Sequence, residues 1–228
     1  MAGPTVSRRR LTLGVLISGS GTNLQAILDQ IADGRLTCTI GVVLSNDAGA
    51  KGLDRARAAA VPVVVVPHRG FASREDFERT VTEELERHSV ELVILAGFMR
   101  VLSPWFVRRW SSRLVNIHPA LLPAFPGVHG QKQAFDYGVR FAGCTVHFVD
   151  EGTDTGPIIA QAVVPVIPDD DEDALAARIL AAEHRILPQA IQWIADGRVR
   201  VVGRRVWVEG VRPGSDDARF NPALDTSR

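Results

Sequence analysis

Residues 11–28, LTLGVLISGSGTNLQAIL, join an apolar run, a glycine-rich turn and a helical pattern with no linker between them. The apolar run Leu11–Ile17 has the length of a buried strand and leads directly into the turn Ser18–Gly21. After the turn, apolar residues recur with the spacing of one helix face: Leu24, Ile27, Leu28 and Ile31. A strand that passes through glycines into a helix predicts the first half of a βαβ unit.

The same alternation continues through the first two-thirds of the chain. Further apolar runs follow at Thr39–Leu44, Pro62–Val66, Leu92–Ala96 and Arg113–Ile117, separated by amphipathic stretches. Ser73 and Ser103 each precede a helical pattern as capping residues. This order predicts an α/β fold with a parallel sheet and helices on both faces. The purely aliphatic run Pro62–Val66 predicts a strand buried on both faces.

The carboxy-terminal third of the chain does not continue this regular alternation. Residues 118–130 contain too many prolines and glycines for a regular element. We then predict strands at Thr145–Val149 and Ile158–Val164, a long helix at Asp173–Ala195 and a hairpin at Val199–Val208. The domain prediction is one unit over residues 11–208, with a flexible start at 1–10 and a polar tail at 209–228.

Composition narrows the classes of protein that this chain can belong to. It has 228 residues, 46% of them hydrophobic, and 26 Lys+Arg balance 26 Asp+Glu. Such balance disfavours a nucleic-acid binder, which is usually basic. Cys38 and Cys144 provide neither a disulfide framework nor a zinc motif. No apolar stretch approaches the length of a membrane span and no signal peptide is evident, so we predict a cytoplasmic protein.

The turn after the first run predicts an anion site. Its backbone N–H groups and the following helix N-terminus suit a phosphate at Gly19, Ser20, Gly21, Thr22 and Asn23. A Walker motif would need a lysine here, and the dinucleotide pattern would need glycine in place of Leu24. A cradle for one monophosphate remains. The alternative is a tight turn in which Thr22 or Asn23 caps the helix.

Polar residues at the end of the fifth run predict a catalytic site. Asn116 and His118 lie two residues apart on a strand, so their side chains point the same way. An amide can stabilise an oxyanion, and a histidine can exchange a proton near neutral pH. Asp154 is the candidate carboxylate that orients His118, with Asp150, Glu151 and Asp136 as rivals. Each residue also has an ordinary interpretation as a turn former. His147 is either a core histidine or a support for this site.

Four segments occur together and in order: residues 15–24, 95–104, 116–123 and 150–157. They resemble the phosphoribosylglycinamide formyltransferase family, the folate-dependent enzymes of de novo purine synthesis. The resemblance covers residues 11–208, although the NxHP…LLP part is shared with other formyl-tetrahydrofolate enzymes. It implies a Rossmann-like, mostly parallel sheet. It also implies formyl transfer from 10-formyltetrahydrofolate, a co-substrate, to the amine of glycinamide ribonucleotide, with small-molecule partners and no metal, nucleic acid or membrane.

The resemblance also implies roles for individual residues. The catalytic residues would be Asn116, His118 and Asp154. The ribonucleotide would bind Gly19, Ser20, Gly21, Thr22, Asn23 and Glu183. Folate would bind Arg74, Met99, Arg100, Val101, Leu102, Asn116, Asp150, Gly152 and Asp154. Leu180 departs from relatives that carry a polar side chain there, which puts one ribonucleotide contact in question.

Related activities give alternatives. Methionyl-tRNA formyltransferase would need an RNA-binding domain after residue 208, and formyltetrahydrofolate deformylase would need a domain before residue 11, so length disfavours both. A binding module without catalysis is disfavoured by the presence of the catalytic trio. The Trp105–Trp110 segment has two interpretations, as the interface of a homodimer or as part of the core.

Overall fold

The computed structural model describes residues 10–211, and within them nine strands form one sheet in the order β3-β2-β1-β4-β5-β6-β7-β9-β8. The strands are β1 (Leu11–Ile17), β2 (Cys38–Ser45), β3 (Val63–Val65), β4 (Leu92–Leu95), β5 (Leu114–His118), β6 (Phe141–Phe148), β7 (Ile158–Pro165), β8 (Val199–Val202) and β9 (Arg205–Val208). The helices are α1 (Thr22–Ala32), α2 (Gly52–Ala58), α3 (Arg74–Arg87), α4 (Pro104–Arg109), α5 (Gly130–Tyr137) and α6 (Glu172–Ala195). Nearly all of the predicted flexible start and most of the predicted tail lie outside the described residues.

The first five strands are all parallel, while β6 runs antiparallel to β5 and β7 antiparallel to β6. The hairpin of β8 and β9 joins the sheet through one pair, Ile158 with Arg205. The predicted α/β fold with a mostly parallel sheet is therefore confirmed. Strand order reverses at β1, which has β2 on one side and β4 on the other. A ligand crevice is expected at the carboxyl ends of the strands beside such a reversal.

Helices cover both faces of the sheet, as predicted. Side chains of β1 alternate between two cores, because neighbouring residues of a strand point to opposite faces. Val15 and Ile17 pack in the core shared with α1, α2, α5 and α6. Leu16 packs in the other core, with Phe77 of α3 and Phe106 of α4. The loops after β1 and β4 thus lead to helices on opposite faces, which opens the crevice between them.

The predicted caps are present where the sequence placed them. The Ser73 side chain accepts a hydrogen bond from the Asp76 N–H at the start of α3, at 3.1 Å. The Ser103 hydroxyl does the same for the Phe106 N–H at the start of α4, at 3.3 Å. A capping side chain replaces the missing hydrogen-bond partner of a first-turn N–H. These local contacts explain why both helix starts could be predicted.

Two elements differ from the predictions. The aliphatic run predicted to be buried on both faces forms β3, an edge strand whose three valines are only half-buried. That prediction was wrong, because an aliphatic run does not reveal whether its strand is central or at an edge. Helix α5 was missed. It begins after His129, which has a φ of 60° and makes no side-chain cap, so the usual start signal is absent.

Trp105 in α4 and Trp110 directly after this helix have different surroundings. Trp110 is 1% exposed and belongs to the core. Trp105 is half-buried, and the Arg79 guanidinium lies 4.4 Å from the centre of its ring. The core interpretation therefore holds for Trp110.

Candidate active site

The glycine turn after β1 packs directly against the start of α2. A Cβ built on Gly21, whose φ is 67°, would lie 2.5 Å from the Gly52 Cα, so glycine is required at this approach. The Gly52 N–H donates to the Gly19 carbonyl at 3.0 Å. Gly21 is the residue before α1, and no side chain caps this helix. The interpretation of Thr22 or Asn23 as a cap is therefore wrong, and the first-turn N–H groups keep no intrahelical partner.

Asn23 connects this turn to the long helix α6. Its amide Nδ2 donates to Glu183 Oε2 at 2.6 Å, although the two residues lie far apart in sequence. The Asn23 Oδ1 is buried without a hydrogen-bond partner among residues 10–211. Burial raises the pKa of Glu183, and the Asn23 hydrogen bond offsets only part of that rise. Leu180, one turn earlier, is half-buried and adds no polar group. An unpaired buried oxygen beside free N–H groups suits a polar ligand.

Arg55 on α2, which the sequence analysis did not single out, binds the glycine turn through its guanidinium. Arg55 Nε donates to the Ser20 carbonyl at 2.9 Å, and its Nη1 donates to Gln25 Oε1 at 3.1 Å. The sequence predicts a phosphate site made of backbone donors, without this guanidinium. In the sequence, Arg55 does not differ from Arg57 two residues later, so only the packing of α2 against the turn identifies it.

Two chain segments, strand β5 and the loop between β6 and β7, bring the predicted trio together at the carboxyl end of β5. His118, 4% exposed, places its Nδ1 3.4 Å from Asp154 Oδ2. Asp154 lies in the loop between β6 and β7. The rival carboxylates have other partners: Asp136 pairs with Lys132, Glu151 pairs with Arg108, and Asp150 accepts from Thr155 and the Gly152 N–H. Among these four candidates, Asp154 is the carboxylate in contact with His118.

His147 stands behind this trio on β6, directly opposite Asn116. Its Nδ1 lies 2.8 Å from the Phe148 carbonyl, which can only accept, so Nδ1 carries a hydrogen. Its Nε2 lies 3.2 Å from Asn116 Nδ2 and 3.6 Å from Asp154 Oδ1. Of the two interpretations of His147, the supporting one matches the geometry. When Nε2 accepts one hydrogen of the Asn116 amide, the second amide hydrogen remains for a substrate.

The loop of residues 119–129 orients both His118 and Asp154 through backbone groups. His118 Nε2 lies 2.8 Å from the Phe125 carbonyl and therefore carries a hydrogen. The Gly127 N–H donates to Asp154 Oδ2 at 2.7 Å. Nδ1 is thus the His118 nitrogen that faces the carboxylate. Neither backbone group leaves a signature in the sequence.

Thr145 on β6, which is buried, and Gln161 on β7, which is exposed, anchor the start of that loop. The Thr145 hydroxyl donates to the Ala120 carbonyl at 2.7 Å and accepts from the Leu122 N–H at 3.1 Å. Gln161 Nε2 donates to the Leu122 carbonyl at 2.9 Å. These bonds explain how a segment rich in prolines holds one position.

Asp154 has an unusual backbone and a low pKa. Its φ of 54° lies in the left-handed region, which few residues other than Gly, Asn and Asp adopt. Burial alone would raise the pKa of Asp154. The contact with His147, the hydrogen bond from the Gly127 N–H and the electrostatic influence of His118 and His147 outweigh burial, so the pKa of Asp154 is lowered from 3.8. The side chain is therefore a charged acceptor at neutral pH.

Comparison with known proteins agrees with this arrangement. Residues 12–191 match the family model described as formyl transferase. The chain is 44% identical over 202 residues to a phosphoribosylglycinamide formyltransferase of Escherichia coli (strain K12), a match that covers 89% of this chain and 95% of the relative. The chain belongs to the phosphoribosylglycinamide formyltransferase family. The resemblance drawn from the sequence motifs is thereby confirmed, and the family consists of transferases.

Further relatives of this formyltransferase family extend the comparison. A crystal structure of glycinamide ribonucleotide transformylase 1 from Symbiobacterium toebii is 50% identical, with a TM-score of 0.86, and covers 87% of this chain and 94% of its own. The trifunctional purine biosynthetic protein adenosine-3 of Drosophila melanogaster is 52% identical over 194 residues, or 84% of this chain. This chain spans only 14% of that protein's length.

The residues predicted to bind folate lie in the segment after β4, on β5, in the loop between β6 and β7 and at the start of α3. Met99 and Val101 follow β4 and are 74% and 66% exposed. Arg100 is half-buried, with its guanidinium 5.4 Å from the centre of the Phe77 ring. Leu102 is also half-buried. Asp150 and Gly152 lie in the loop that carries Asp154, whereas Arg74 is the exposed first residue of α3.

The two cysteines of this transferase are placed in the interior of the protein. Both cysteines are buried, and burial is the main cause that raises the pKa of Cys38 to about 11 and of Cys144 to about 12. Across residues 10–211, His, Cys, Asp and Glu form no group of three or more that could hold a metal ion. In the same range, no helix combines the length and apolar character needed to cross a membrane.

Proposed function

We propose that this chain transfers the formyl group of 10-formyltetrahydrofolate to the amine of glycinamide ribonucleotide. The products are formylglycinamide ribonucleotide and tetrahydrofolate. The observation that carries the proposal is the convergence of Asn116, His118 and Asp154 at the carboxyl end of β5, with His118 Nδ1 3.4 Å from Asp154 Oδ2. The glycine turn after β1 opens at the same edge of the sheet, where the phosphate of the ribonucleotide would bind.

Asn116 would stabilise the charge that develops on the formyl oxygen. The amine attacks the formyl carbon, the carbon–oxygen double bond becomes a tetrahedral oxyanion, and the bond from carbon to the folate nitrogen then breaks. One amide hydrogen of Asn116 faces His147 Nε2 at 3.2 Å. The other is free to donate to the oxyanion, which is the role of a preorganised donor.

His118 and Asp154 would carry out the proton transfer that the reaction requires. The attacking amine must lose one proton, and the leaving folate nitrogen must gain one. The charged Asp154 carboxylate accepts the proton from the amine, either through His118 Nδ1 or through a water molecule, and the same relay then delivers a proton to the leaving folate nitrogen. Because Nε2 stays bonded to the Phe125 carbonyl at 2.8 Å, a proton on Nδ1 makes His118 a cation that also stabilises the oxyanion.

The glycine turn, Asn23 and Glu183 would bind the ribonucleotide end. The first-turn N–H groups of α1 suit the phosphate, and the unpaired Asn23 Oδ1 suits a donor of the ligand. Arg55, held against the turn by the Ser20 carbonyl at 2.9 Å, adds positive charge where a lysine is absent.

The proposal is tested by following both possible acceptors. With 10-formyltetrahydrofolate and glycinamide ribonucleotide, the purified protein is expected to release tetrahydrofolate only when the ribonucleotide is present, in equal amounts with formylated ribonucleotide. Chromatography of both products measures this. Release of formate without the ribonucleotide would identify a hydrolase such as a deformylase. Binding of both ligands without turnover would identify a binding module, and either result contradicts the proposal.

The charge of Arg55 gives a prediction for substrate affinity. Arg55→Gln is expected to raise the KM for glycinamide ribonucleotide about tenfold, because a charge-assisted contribution to phosphate binding is lost. The KM for 10-formyltetrahydrofolate should change less than about twofold. Added salt should raise the ribonucleotide KM of the wild type more than that of the variant.

Arg57→Gln is the matched control for this prediction. Arg57 lies on the same helix but is exposed and pairs with Asp54 at 2.7 Å. Its replacement is expected to leave both KM values unchanged. Equal ribonucleotide KM values for the two variants would show that Arg55 contributes nothing beyond general surface charge.

A further inference from the structure

Ser18, the first residue of the glycine turn after β1, makes hydrogen bonds to two other loops at once. Its hydroxyl donates to Asn46 Oδ1 at 2.6 Å, in the loop after β2. The same hydroxyl accepts from the Met99 N–H at 2.9 Å, in the loop after β4. Its backbone N–H donates to the Gly97 carbonyl at 3.0 Å. One small side chain therefore joins the ends of three neighbouring parallel strands.

The network continues to a fourth loop. Because Asn46 Oδ1 accepts from Ser18, its Nδ2 is the donor, and it lies 3.3 Å from His68 Nδ1. His68 belongs to the turn after β3. Side-chain contacts thus connect the loops that follow β1, β2, β3 and β4 along the edge of the sheet where the crevice opens.

The segment Met99–Leu102 depends on contacts at both of its ends. It belongs to no helix or strand, and its Met99 and Val101 side chains are mostly exposed. Ser18 holds its first N–H. Just beyond its last residue, Glu78, 1% exposed, accepts hydrogen bonds from both the N–H and the hydroxyl of Ser103. The backbone is therefore fixed at both ends while its Met99 and Val101 side chains stay exposed, which lowers the entropy cost of binding a ligand to this segment.

We propose that Ser18 is a positioning residue for the formyl donor. Its hydroxyl holds Met99–Leu102 at a fixed distance from the glycine turn. The formyl group of the folate and the amine of the ribonucleotide are thereby kept in position to react. This inference rests on the proposed function, because it assigns the folate to Met99–Leu102. The glycine turn keeps its own contact between the Gly52 N–H and the Gly19 carbonyl without the Ser18 hydroxyl. The effect of Ser18 is therefore specific to one substrate.

Replacement of the hydroxyl tests this assignment. Ser18→Ala is expected to raise the KM for 10-formyltetrahydrofolate about fivefold, which corresponds to the loss of the hydrogen bond that holds the Met99 N–H. The KM for glycinamide ribonucleotide should change less than about twofold. Ser18→Thr keeps a hydroxyl at the same carbon and should restore the folate KM to within about twofold of the wild-type value. Calorimetric titration with tetrahydrofolate should show the same ratio of affinities without turnover.

Ser45→Ala provides the matched control. Ser45 ends the neighbouring strand β2, and its hydroxyl donates to the Asp47 carbonyl at 2.8 Å and accepts from the Asp47 N–H at 3.1 Å. These bonds stay within one loop, so their loss should lower Tm without changing the ratio of the two KM values. Thermal denaturation of both alanine variants separates folding from positioning.

The outcomes of the two proposals can be distinguished. A wild-type protein that binds tetrahydrofolate without formyl transfer contradicts the proposed function, yet the Ser18→Ala titration still measures folate positioning. If Ser18→Ala changes both KM values equally, changes neither, or lowers only Tm, then Ser18 has a structural role and the inference is overturned. Failure of Ser18→Thr to restore folate affinity would also overturn it.

Discussion

Asp154→Asn is expected to lower kcat for formyl transfer about 10³-fold while the protein remains folded. The substitution removes the charge that accepts a proton, and such proton transfer is worth about 10²–10⁴-fold in rate. Asparagine adopts the left-handed region readily, so the φ of 54° at this position is preserved without new strain. Its side-chain oxygen can still accept from the Gly127 N–H, now at 2.7 Å from Asp154 Oδ2. Steady-state assays of formylated ribonucleotide measure the loss.

Asp136→Asn is the control for removal of one carboxylate. Asp136 was a rival from the sequence, but it is exposed and pairs with Lys132 at 2.9 Å. Its loss should leave kcat within about twofold of the wild type, as expected for an exposed ion pair. Equal kcat values for the two variants would remove Asp154 from the proposed mechanism.

The low pKa of Asp154 also sets the sign of its pH effects. Its folded-state pKa lies below the ordinary value of 3.8. Its contribution to stability is therefore present above that value and is lost as pH falls through the folded-state pKa. The difference in Tm between the wild type and Asp154→Asn should accordingly shrink in strong acid. Because Asp154 stays charged from about pH 5 upward, a fall in wild-type kcat/KM on acidification to pH 5 must come from another group.

The parts of the fold that follow from local pattern could be predicted from the sequence. Strand β1 has the same bounds in the prediction and in the structure, Leu11–Ile17, because an apolar run ends at glycines. The caps at Ser73 and Ser103 are likewise short-range features. The burial of β3 depends instead on strand order, and the start of α5 depends on a left-handed residue, His129. Neither property is encoded in nearby residue types.

The candidate site divides in the same way. The common direction of Asn116 and His118 follows from the two-residue period of a strand. The choice of Asp154 among four carboxylates follows from tertiary packing. So do the contacts of the Phe125 carbonyl and of Arg55, since any residue has a carbonyl and Arg57 has the same side chain as Arg55. Sequence patterns thus predicted the residues that we propose for the chemistry, whereas the groups that orient them became evident only in the structure.

His118→Ala is expected to lower kcat by about 10²–10³-fold. The variant loses the Nδ1 that faces Asp154 Oδ2 at 3.4 Å, and with it a proton relay and a cation that stabilises the oxyanion. It also leaves the Phe125 carbonyl without the donor now at 2.8 Å, which should cost about 1 kcal/mol of stability. Assays well below the Tm of the variant keep the two effects apart. Because His118 is 4% exposed, its removal leaves a cavity, and added imidazole should restore part of the lost rate.

His88→Ala is the control for loss of a histidine from the fold. His88 follows the end of α3 and is half-buried, with its Nδ1 2.9 Å from the Glu84 carbonyl. Its removal can lower Tm but should leave kcat unchanged, and imidazole should have no effect. Two results would contradict the role given to His118. One is a kcat for His118→Ala within about threefold of the wild type. The other is a loss of rate that follows the loss of folded protein measured by circular dichroism, because a catalytic group must lower the rate of molecules that remain folded.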